Sequence, residues 1–183
     1  MRIRVWIATA SAAVFAGIVL AAEPSTSDWR AYGSARIRDQ PVELFYMSND
    51  IQRTSDERVK VWTKALDRRD VEHAVDALDN AHIQKIANKM AAAYVPPLSQ
   101  GKVLTARQIV WLVSSEEIAN DGSLEPVMRA QYELDCLQQR IRALSMEATM
   151  NGKHHSSNDV SEWHPILPDG SGPLLRKLAC AAH

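Results

Sequence analysis

The pair of cysteines restricts the possible folds of this chain more than any other feature of the sequence. Cys136 lies in "QYELDCLQQRIR" and Cys180 in "LLRKLACAAH". Taken alone, Cys136 is compatible with a nucleophile, a metal ligand, a buried small apolar residue or half of a disulfide. The compartment decides among these four roles, because disulfides persist in oxidising environments.

The first residues predict export. Arg2 and Arg4 precede an uncharged apolar stretch, after which the chain becomes polar at "EPSTSD". A basic segment, an apolar segment and small residues, in that order, are typical of a secretory signal peptide. We expect removal of residues 1–21, with cleavage after Ala21 or, one residue later, after Ala22. An uncleaved membrane anchor is the alternative, but the stretch is short for a span and its Ala and Ser content makes it weakly apolar.

The chain that remains, residues 22–183, has a length typical of a single domain. The full sequence has 21 basic and 22 acidic residues, so loss of Arg2 and Arg4 leaves 19 against 22 and a net charge near −3. This balance argues against a nucleic-acid partner, which requires a basic face. No later segment is apolar enough to span a membrane, and export to an oxidising compartment favours pairing of the cysteines.

Residues 29–64 have the composition of β-strands. The segments "PVELFYMS" and "ERVKVWTK" are rich in Val, Phe, Tyr and Trp and partly alternate in polarity. Val59 and Val61 are expected on one face, with Lys60 and Trp62 on the other. Between these segments, "NDIQRTSDE" contains the Asn, Asp and Ser that turns favour.

The next region changes to helical spacing. Apolar residues from Val71 to Met90 recur in steps of three and four, which predicts an amphipathic helix over 71–94 that ends at "YVPP". A second helix is predicted over 105–120, with Thr105 as its N-cap and Gly122 as its stop. The centre of this second segment, "IVWLV", is also compatible with a buried strand.

The segment that contains Cys136 has an ambiguous period. Tyr132, Leu134 and Cys136 alternate as in a strand, whereas Leu134, Leu137 and Ile141 fit a helix face. Pattern alone does not decide between the two. A polar loop follows at "NGKHHSSNDVSE", and Pro173 is placed to begin a short final helix.

Candidates for catalysis are weak. Serine catalysis would favour a G-x-S-x-G elbow, which is missing; "DGSGP" around Ser171 has glycines at other spacing and is typical of a loop. Cysteine catalysis requires a free thiolate beside a histidine, and the availability of a second cysteine disfavours it. We therefore predict neither catalytic residues nor a cofactor.

Other polar clusters have ordinary explanations. His154, His155 and His164 could bind a metal, but no H-E-x-x-H or C-x-x-C accompanies them, so a solvated loop is favoured and no metal ligand is predicted. Glu116 and Glu117 are expected on a solvated helix face. The basic segments at 36–38, 67–70 and 140–142 are explained by surface salt bridges.

The order of several short motifs resembles a known family. An aromatic-rich strand, an Ile-x-Arg segment and a V-x-V-W strand are followed by a D-C segment, a W-x-x-I-x-P segment and a terminal cysteine. This order is similar to the surface-adhesin protein E family of exported bacterial proteins and covers residues 29–66 and 127–180. The matching residues are Tyr46, Ile51, Arg53, Val59, Val61, Trp62, Asp135, Cys136, Trp163, Ile166, Pro168 and Cys180.

The resemblance implies an α+β fold, an antiparallel sheet packed on a C-terminal helix. The chain departs from the family pattern at about 67–126. Within this region an inserted pair of helices, at about 70–122, would enlarge the domain. It further implies that residues 129–149 form one long strand or a bent pair, with Cys136 in a strand and bonded to Cys180 on the final helix. The family's lipid-anchored adhesins bind host matrix proteins. This chain lacks a cysteine after its apolar segment, so we expect the periplasm or cell envelope of a Gram-negative bacterium.

Three functions follow as hypotheses. The first is a non-enzymatic envelope protein that binds a protein partner, either a host matrix protein or an envelope protein. The second is a periplasmic metal-binding protein or small enzyme that uses His154, His155 and His164. The third is a structural accessory subunit that docks, onto another protein or a second copy, through the helices predicted at 71–94 and 105–120.

Overall fold

The computed structural model describes residues 28–55, 57–93, 105–150 and 152–181, and this part of the chain forms an α+β domain. The strands are β1 (Trp29–Ile37), β2 (Gln40–Met47), β3 (Gln52–Ser55), β4 (Arg58–Asp67), β5 (Met128–Asp135), β6 (Arg140–Met150), β7 (Lys153–Ser157) and β8 (His164–Pro165). They form an antiparallel sheet in the order β1-β2-β4-β5-β6-β7, with β3 beside β4 and β8 beside β6. The helices are α1 (Arg68–Asp76), α2 (Asn80–Ala93), α3 (Ala106–Asp121) and α4 (Gly172–Ala181).

The predicted strand region is confirmed, including the alternation along β4. Val59 and Val61 are fully buried on one face of the sheet, and Trp62 packs against the cluster on the opposite face. The segment predicted as a turn between β2 and β4 contains the additional short strand β3, which pairs with β4.

One face of the sheet, called the α4 face, packs against the C-terminal helix. Leu175 and Ala179 of α4 are buried against residues of β1, β2, β4 and β5. Pro173 lies in the first turn of this helix, as predicted, where its missing N–H costs no hydrogen bond. The buried residues of this core are Tyr32, Val42, Leu44, Tyr46, Val59, Val61, Ala65, Leu134, Leu175 and Ala179.

The opposite face, called the helix-block face, is covered by α1 and α3 over β1, β2 and the end of β4. Val71 of α1 and both Leu112 and Ala119 of α3 are buried there with Trp29 and Phe45. Val71, Leu112 and Ala119 are therefore not available to dock another protein.

The described residues of the inserted block form three helices in place of the predicted pair. The predicted helix over 71–94 is interrupted: α1 ends at Asp76, and α2 begins after Asp79. The side chain of Asp79 accepts a hydrogen bond from the backbone N–H of His82, at 2.7 Å, which starts the new helix. The predicted end at "YVPP" lies outside the described residues.

Helix α3 has the ends that the sequence predicts. Thr105 is its N-cap and forms a capping box with Gln108, in which each residue's side chain bonds the other's backbone N–H. Gly122 follows the helix in the left-handed conformation, with φ of 71°. The alternative of a buried strand at "IVWLV" is therefore wrong.

The segment around Cys136 is a β-hairpin, so the bent pair predicted over 129–149 is confirmed. Strands β5 and β6 pair antiparallel from Met128 opposite Ala148 to Asp135 opposite Arg140. Cys136 is the first residue of the turn between them, which corrects its predicted place in a strand. Within the described ranges, no helix is long and apolar enough to cross a membrane.

Candidate functional site: an arginine–tryptophan cluster

Both cysteines are used in one disulfide. Cys136 and Cys180 are bonded, with their Cα atoms 5.9 Å apart and a sequence separation of 44. The Nη1 of Arg176, on α4, donates to the carbonyl oxygen of Cys136 at 3.2 Å. The bond joins the β5–β6 turn to α4, so neither sulfur is a nucleophile or a metal ligand. The predicted cleavage residues, Ala21 and Ala22, lie outside the described residues.

The structure separates the three histidines of the metal hypothesis. His154 and His155 lie on β7 opposite Thr149 and Ala148, whereas His164 lies on β8 opposite Ile141. Ile141 and Ala148 are seven residue steps apart along β6, which is about 23 Å along a strand. Within the described ranges, no group of three His, Cys, Asp or Glu side chains could hold a metal ion.

The part of the helix-block face farthest from α1 and α3 carries a ladder of charged residues. Register pairs place residues of β4, β5 and β6 side by side on one face in two adjacent rows. The rows are Arg58–Asp135–Arg140 and Lys60–Glu133–Arg142. Opposite charges directly across neighbouring strands stabilise a sheet, which explains the alternation of acidic and basic positions in this hairpin.

The two carboxylates of the ladder are buried and differ in how firmly they are paired. Glu133 exposes 6% of its side chain, and its Oε2 accepts from Nε of Arg142 at 2.7 Å. Its Oε1 accepts from the hydroxyl of Thr54 at 3.2 Å. Asp135 exposes 2%, and one of its oxygens lies 3.5 Å from Nη2 of Arg140 and 4.0 Å from Nε of Arg58. Arg142 therefore neutralises Glu133 closely, whereas Arg58 and Arg140 approach Asp135 loosely.

A tryptophan lies against the three arginines of this ladder. The guanidinium carbons of Arg58 and Arg140 are each 5.4 Å from the ring centroid of Trp163, and that of Arg142 is 4.6 Å away. These distances are within the range of cation–π attraction. We call Arg58, Arg140, Arg142 and Trp163 the arginine–tryptophan cluster.

The chain on both sides of Trp163 is fixed to the edge of β6. The N–H of Ser161 donates to the carbonyl of Ala143, and its hydroxyl accepts from the N–H of Ala143, both at 2.9 Å. Beyond the tryptophan, β8 pairs with β6, and the N–H of Ile166 donates to the carbonyl of Gln139 at 2.9 Å. The ring is therefore held beside Arg142 by backbone hydrogen bonds at both ends of its segment.

Among the residues that the structure describes, three exposed apolar side chains lie in the segments around this end of the sheet. Leu137 in the β5–β6 turn, and Val160 and Leu167 on either side of Trp163, expose 66%, 56% and 68% of their surfaces. We call these three residues the apolar rim. Since Ser161 and Ile166 are bonded to β6 residues 143 and 139, the backbone that carries Val160 and Leu167 runs along the edge of β6 beside the arginine–tryptophan cluster, and Leu137 lies in the turn at the end of this strand.

Glu116 is buried, which corrects the prediction of a solvated face. Its Oε1 accepts from the N–H of Ala31 in β1 at 3.0 Å, and its Oε2 accepts from Nη1 of Arg30 at 3.3 Å. Its neighbour Glu117 is half-buried and lies 2.7 Å from the Nε2 of His82 on α2. These carboxylates connect α3 to β1 and to α2, so their roles are structural.

The sequence contained a signal for the cluster that pattern reasoning did not use. Glu133 and Asp135 alternate on one side of a turn, and Arg140 and Arg142 alternate on the other. When the chain folds back as a hairpin, these positions lie opposite each other on neighbouring strands and pair opposite charges on one face of the sheet. The contribution of Trp163 could not be read in this way, because it depends on a distant segment that returns along the edge of β6.

Comparisons of the chain with family models, with curated proteins and with solved structures give no match in any of the three. The similarity to the surface-adhesin protein E family therefore stays a prediction from the order of its motifs.

Proposed function

We propose that this chain is an exported, non-enzymatic domain of the cell envelope that binds a protein partner through its arginine–tryptophan cluster and apolar rim. The observation that carries the proposal is the exposure of Leu137, Val160 and Leu167 beside Trp163 and three arginines. Large apolar side chains grouped on a surface mark interaction sites in proteins.

The composition of this surface supports a protein as the partner. Tryptophan and arginine are the residues in which binding energy concentrates at protein interfaces, typically within a rim that excludes water. The ring of Trp163 is already positioned by Ser161 and β8, and Arg142 is oriented by the buried carboxylate of Glu133. Less conformational freedom is therefore lost when a partner binds.

Export is supported by the N-terminal pattern and by the cross-link between Cys136 and Cys180. Disulfides form and persist in the bacterial periplasm and outside cells. The resemblance to the surface-adhesin protein E family points to the same compartment and to host matrix or envelope proteins as partners.

The binding proposal is tested with a triple variant, Leu137→Ser, Val160→Ser and Leu167→Ser. Disulfide-intact protein is immobilised, and its binding to purified matrix proteins and to envelope proteins of the source cell is measured. We expect the wild type to retain a partner that the triple variant loses. Met146→Ser is the matched control, because Met146 is also exposed but lies on β6 opposite Ser157. Retention of the same partner by the triple variant would reject the rim as the binding surface.

Export is tested separately, by expressing the full chain in a Gram-negative host and fractionating the cells. We expect a periplasmic or envelope-associated product whose N-terminus begins after Ala21 or Ala22. A full-length cytoplasmic product with Cys136 and Cys180 as free thiols would contradict the proposal.

A further inference from the structure

We propose that the arginine–tryptophan cluster binds an acidic segment of the partner protein, with its Asp and Glu carboxylates held by Arg58 and Arg140 and its neighbouring side chains against Trp163. This assignment rests on the proposed function, and it names the chemistry of the partner. It follows from three observations: the spare hydrogen-bond donors of two arginines, the local excess of positive charge and the adjoining apolar rim.

Arg58 and Arg140 have hydrogen-bond donors that Asp135 does not engage. Each guanidinium carries five N–H groups. Their contacts with Asp135 are long, at 4.0 and 3.5 Å, and involve a single oxygen. Both side chains are more than one-third exposed, at 44% and 36%. The Nε of Arg140 is buried without a hydrogen-bond partner among the described residues, so the exposed part of its guanidinium, together with that of Arg58, is what a ligand can reach.

Arg142 has a different role from the other two arginines. Its Nε and Nη2 lie 2.7 and 2.5 Å from the Oε2 of Glu133, so the carboxylate of Glu133 neutralises this guanidinium within the ladder. Its guanidinium is also the closest to the ring of Trp163. We assign Arg142 to positioning of the tryptophan, and Arg58 and Arg140 to contact with the ligand.

The two rows of the ladder carry a charge opposite in sign to that of the chain. The two rows of the ladder contain Arg58, Lys60, Arg140 and Arg142 against Glu133 and Asp135, an excess of two positive charges. The full chain carries a net charge of −1. Such a positive area on an acidic protein attracts and orients an anionic ligand.

The surroundings favour a peptide over a sulfated or phosphorylated polymer. A polyanion is held by many cationic side chains along an extended path, whereas this area has an excess of only two charges. The planar guanidinium fork matches a carboxylate, and the exposed leucines of the rim offer apolar contacts that a sugar chain would leave unfilled. An acidic segment with interspersed apolar residues satisfies both features.

The test uses a fluorescently labelled Asp- and Glu-containing peptide with interspersed Leu, and a matched peptide in which Asn and Gln replace the acids. We expect the wild-type protein to bind the acidic peptide, with affinity that falls as salt is added, and not to bind the amide peptide. Arg58→Gln and Arg140→Gln should each weaken binding about tenfold or more, since each removes a charge-assisted hydrogen bond. Arg36→Gln, an exposed arginine on β1, is the matched control and should leave the affinity unchanged.

Trp163→Phe supplies a second readout. A change in intrinsic tryptophan emission on addition of unlabelled peptide should occur in the wild type and disappear in this variant. Circular dichroism and the thermal midpoint of each variant show whether it is folded; Arg36→Gln and the wild type define the folded reference.

Two results would overturn the assignment. One is equal binding of the acidic and amide peptides, or binding that neither Arg58→Gln nor Arg140→Gln weakens in folded protein. The other is tighter binding of heparin than of the acidic peptide at the same arginines, which would make the cluster a polyanion site. If the wild type binds no acidic peptide while the rim variant still loses its partner, the proposed function stands and only this assignment fails.

Discussion

Glu43 lies on β2 opposite Ser34 of β1 and Leu66 of β4, with 12% of its side chain exposed. Burial raises the pKa of its carboxyl group to about 7; the nearby charge of Arg68 lowers it in part, and that of Glu72 raises it further. The charged form of Glu43 is therefore less favourable in the folded protein than in the unfolded chain.

The free energy of unfolding should consequently fall as pH rises between 4.5 and about 7. In this range the folded state binds a proton that the unfolded state has released, so proton linkage destabilises the folded state with increasing pH. We expect Glu43→Gln to remove this component and to be more stable than the wild type above pH 7, with little difference near pH 4.5. Urea denaturation across this range measures it.

The control for Glu43 is Glu125→Gln, which removes an exposed carboxyl group and should leave the pH profile of the wild type intact. An unchanged profile in Glu43→Gln would show that the carboxyl of Glu43 titrates near its ordinary value in the folded protein.

Buried charge was the property that sequence patterns predicted least well at this scale. Glu116 and Glu117 are identical in type and adjacent on α3, but Glu116 is buried against the N–H of Ala31. Local spacing cannot distinguish them, because the difference comes from a strand more than eighty positions away. Lys64 is similar: it is buried, donates to the carbonyl of Ala119 at 2.5 Å and lies 4.4 Å from the ring centroid of Trp29.

At the scale of elements, α3 protects the outer edge of β1. An edge strand presents unpaired backbone groups that can pair with another chain. Here Asn120 accepts from the N–H of Trp29 at 2.8 Å and donates to its carbonyl oxygen at 3.1 Å, and Glu116 accepts from the N–H of Ala31. The side chains of a helix thus take the place of a neighbouring strand at the beginning of β1.

Asn120→Ala should lower the free energy of unfolding by about 1–3 kcal/mol, because it leaves backbone groups of buried Trp29 without their hydrogen bonds. Chemical denaturation at constant pH measures the loss. Ser123→Ala, at an exposed position just beyond the helix, is the control and should change stability little. Equal stability of the two variants would mean that the edge of β1 does not depend on α3.

Gly122→Ala should destabilise the protein by about 1–2 kcal/mol, because a Cβ atom is unfavourable in the left-handed conformation. The residue has φ of 71°, and an added Cβ would meet no atom of other parts of the protein within 4 Å, so the cost comes from the local backbone conformation. Gly170→Ala is the matched control, since that glycine lies outside the left-handed region. A loss of stability in Gly170→Ala as large as in Gly122→Ala would contradict this explanation.

The elements predicted correctly are those whose ends depend on local chemistry. Thr105, Gly122 and Pro173 act through backbone groups a few residues away, so their roles can be read directly from the sequence. The break between α1 and α2 was missed because the apolar spacing continues through it, although Asp79 begins a new helix. Likewise, the hairpin around Cys136 was ambiguous because strand and helix periods coincide over so short a segment.

At the scale of the whole molecule, the sheet separates two hydrophobic cores that are covered by different helices. The helix-block face is covered by α1 and α3, which are inserted between the neighbouring strands β4 and β5. The α4 face depends on a single short helix at the end of the described chain. Leu175 and Ala179 dock this helix, and the disulfide fixes it to the β5–β6 turn.

Removal of the cross-link should therefore cost much of the stability. Closure of a loop with a sequence separation of 44 contributes about 4 kcal/mol in the chain-entropy model, against about 5–15 kcal/mol for a typical domain. We expect Cys136→Ala to lower the melting temperature as much as chemical reduction of the wild type does. The double variant with Cys180→Ala should be no less stable than the single variant.

The location of this loss distinguishes a cross-link of α4 from a general effect of removing a buried sulfur. Hydrogen exchange should accelerate first in the amides of α4, since only Leu175 and Ala179 are fully buried there, while α3 stays protected by its bonds to β1. Reductant should have no further effect on Cys136→Ala, which separates loss of the bond from other consequences of reduction. Detection of two free thiols in the unreduced native protein, or uniform exchange across α3 and α4, would contradict this role of the disulfide.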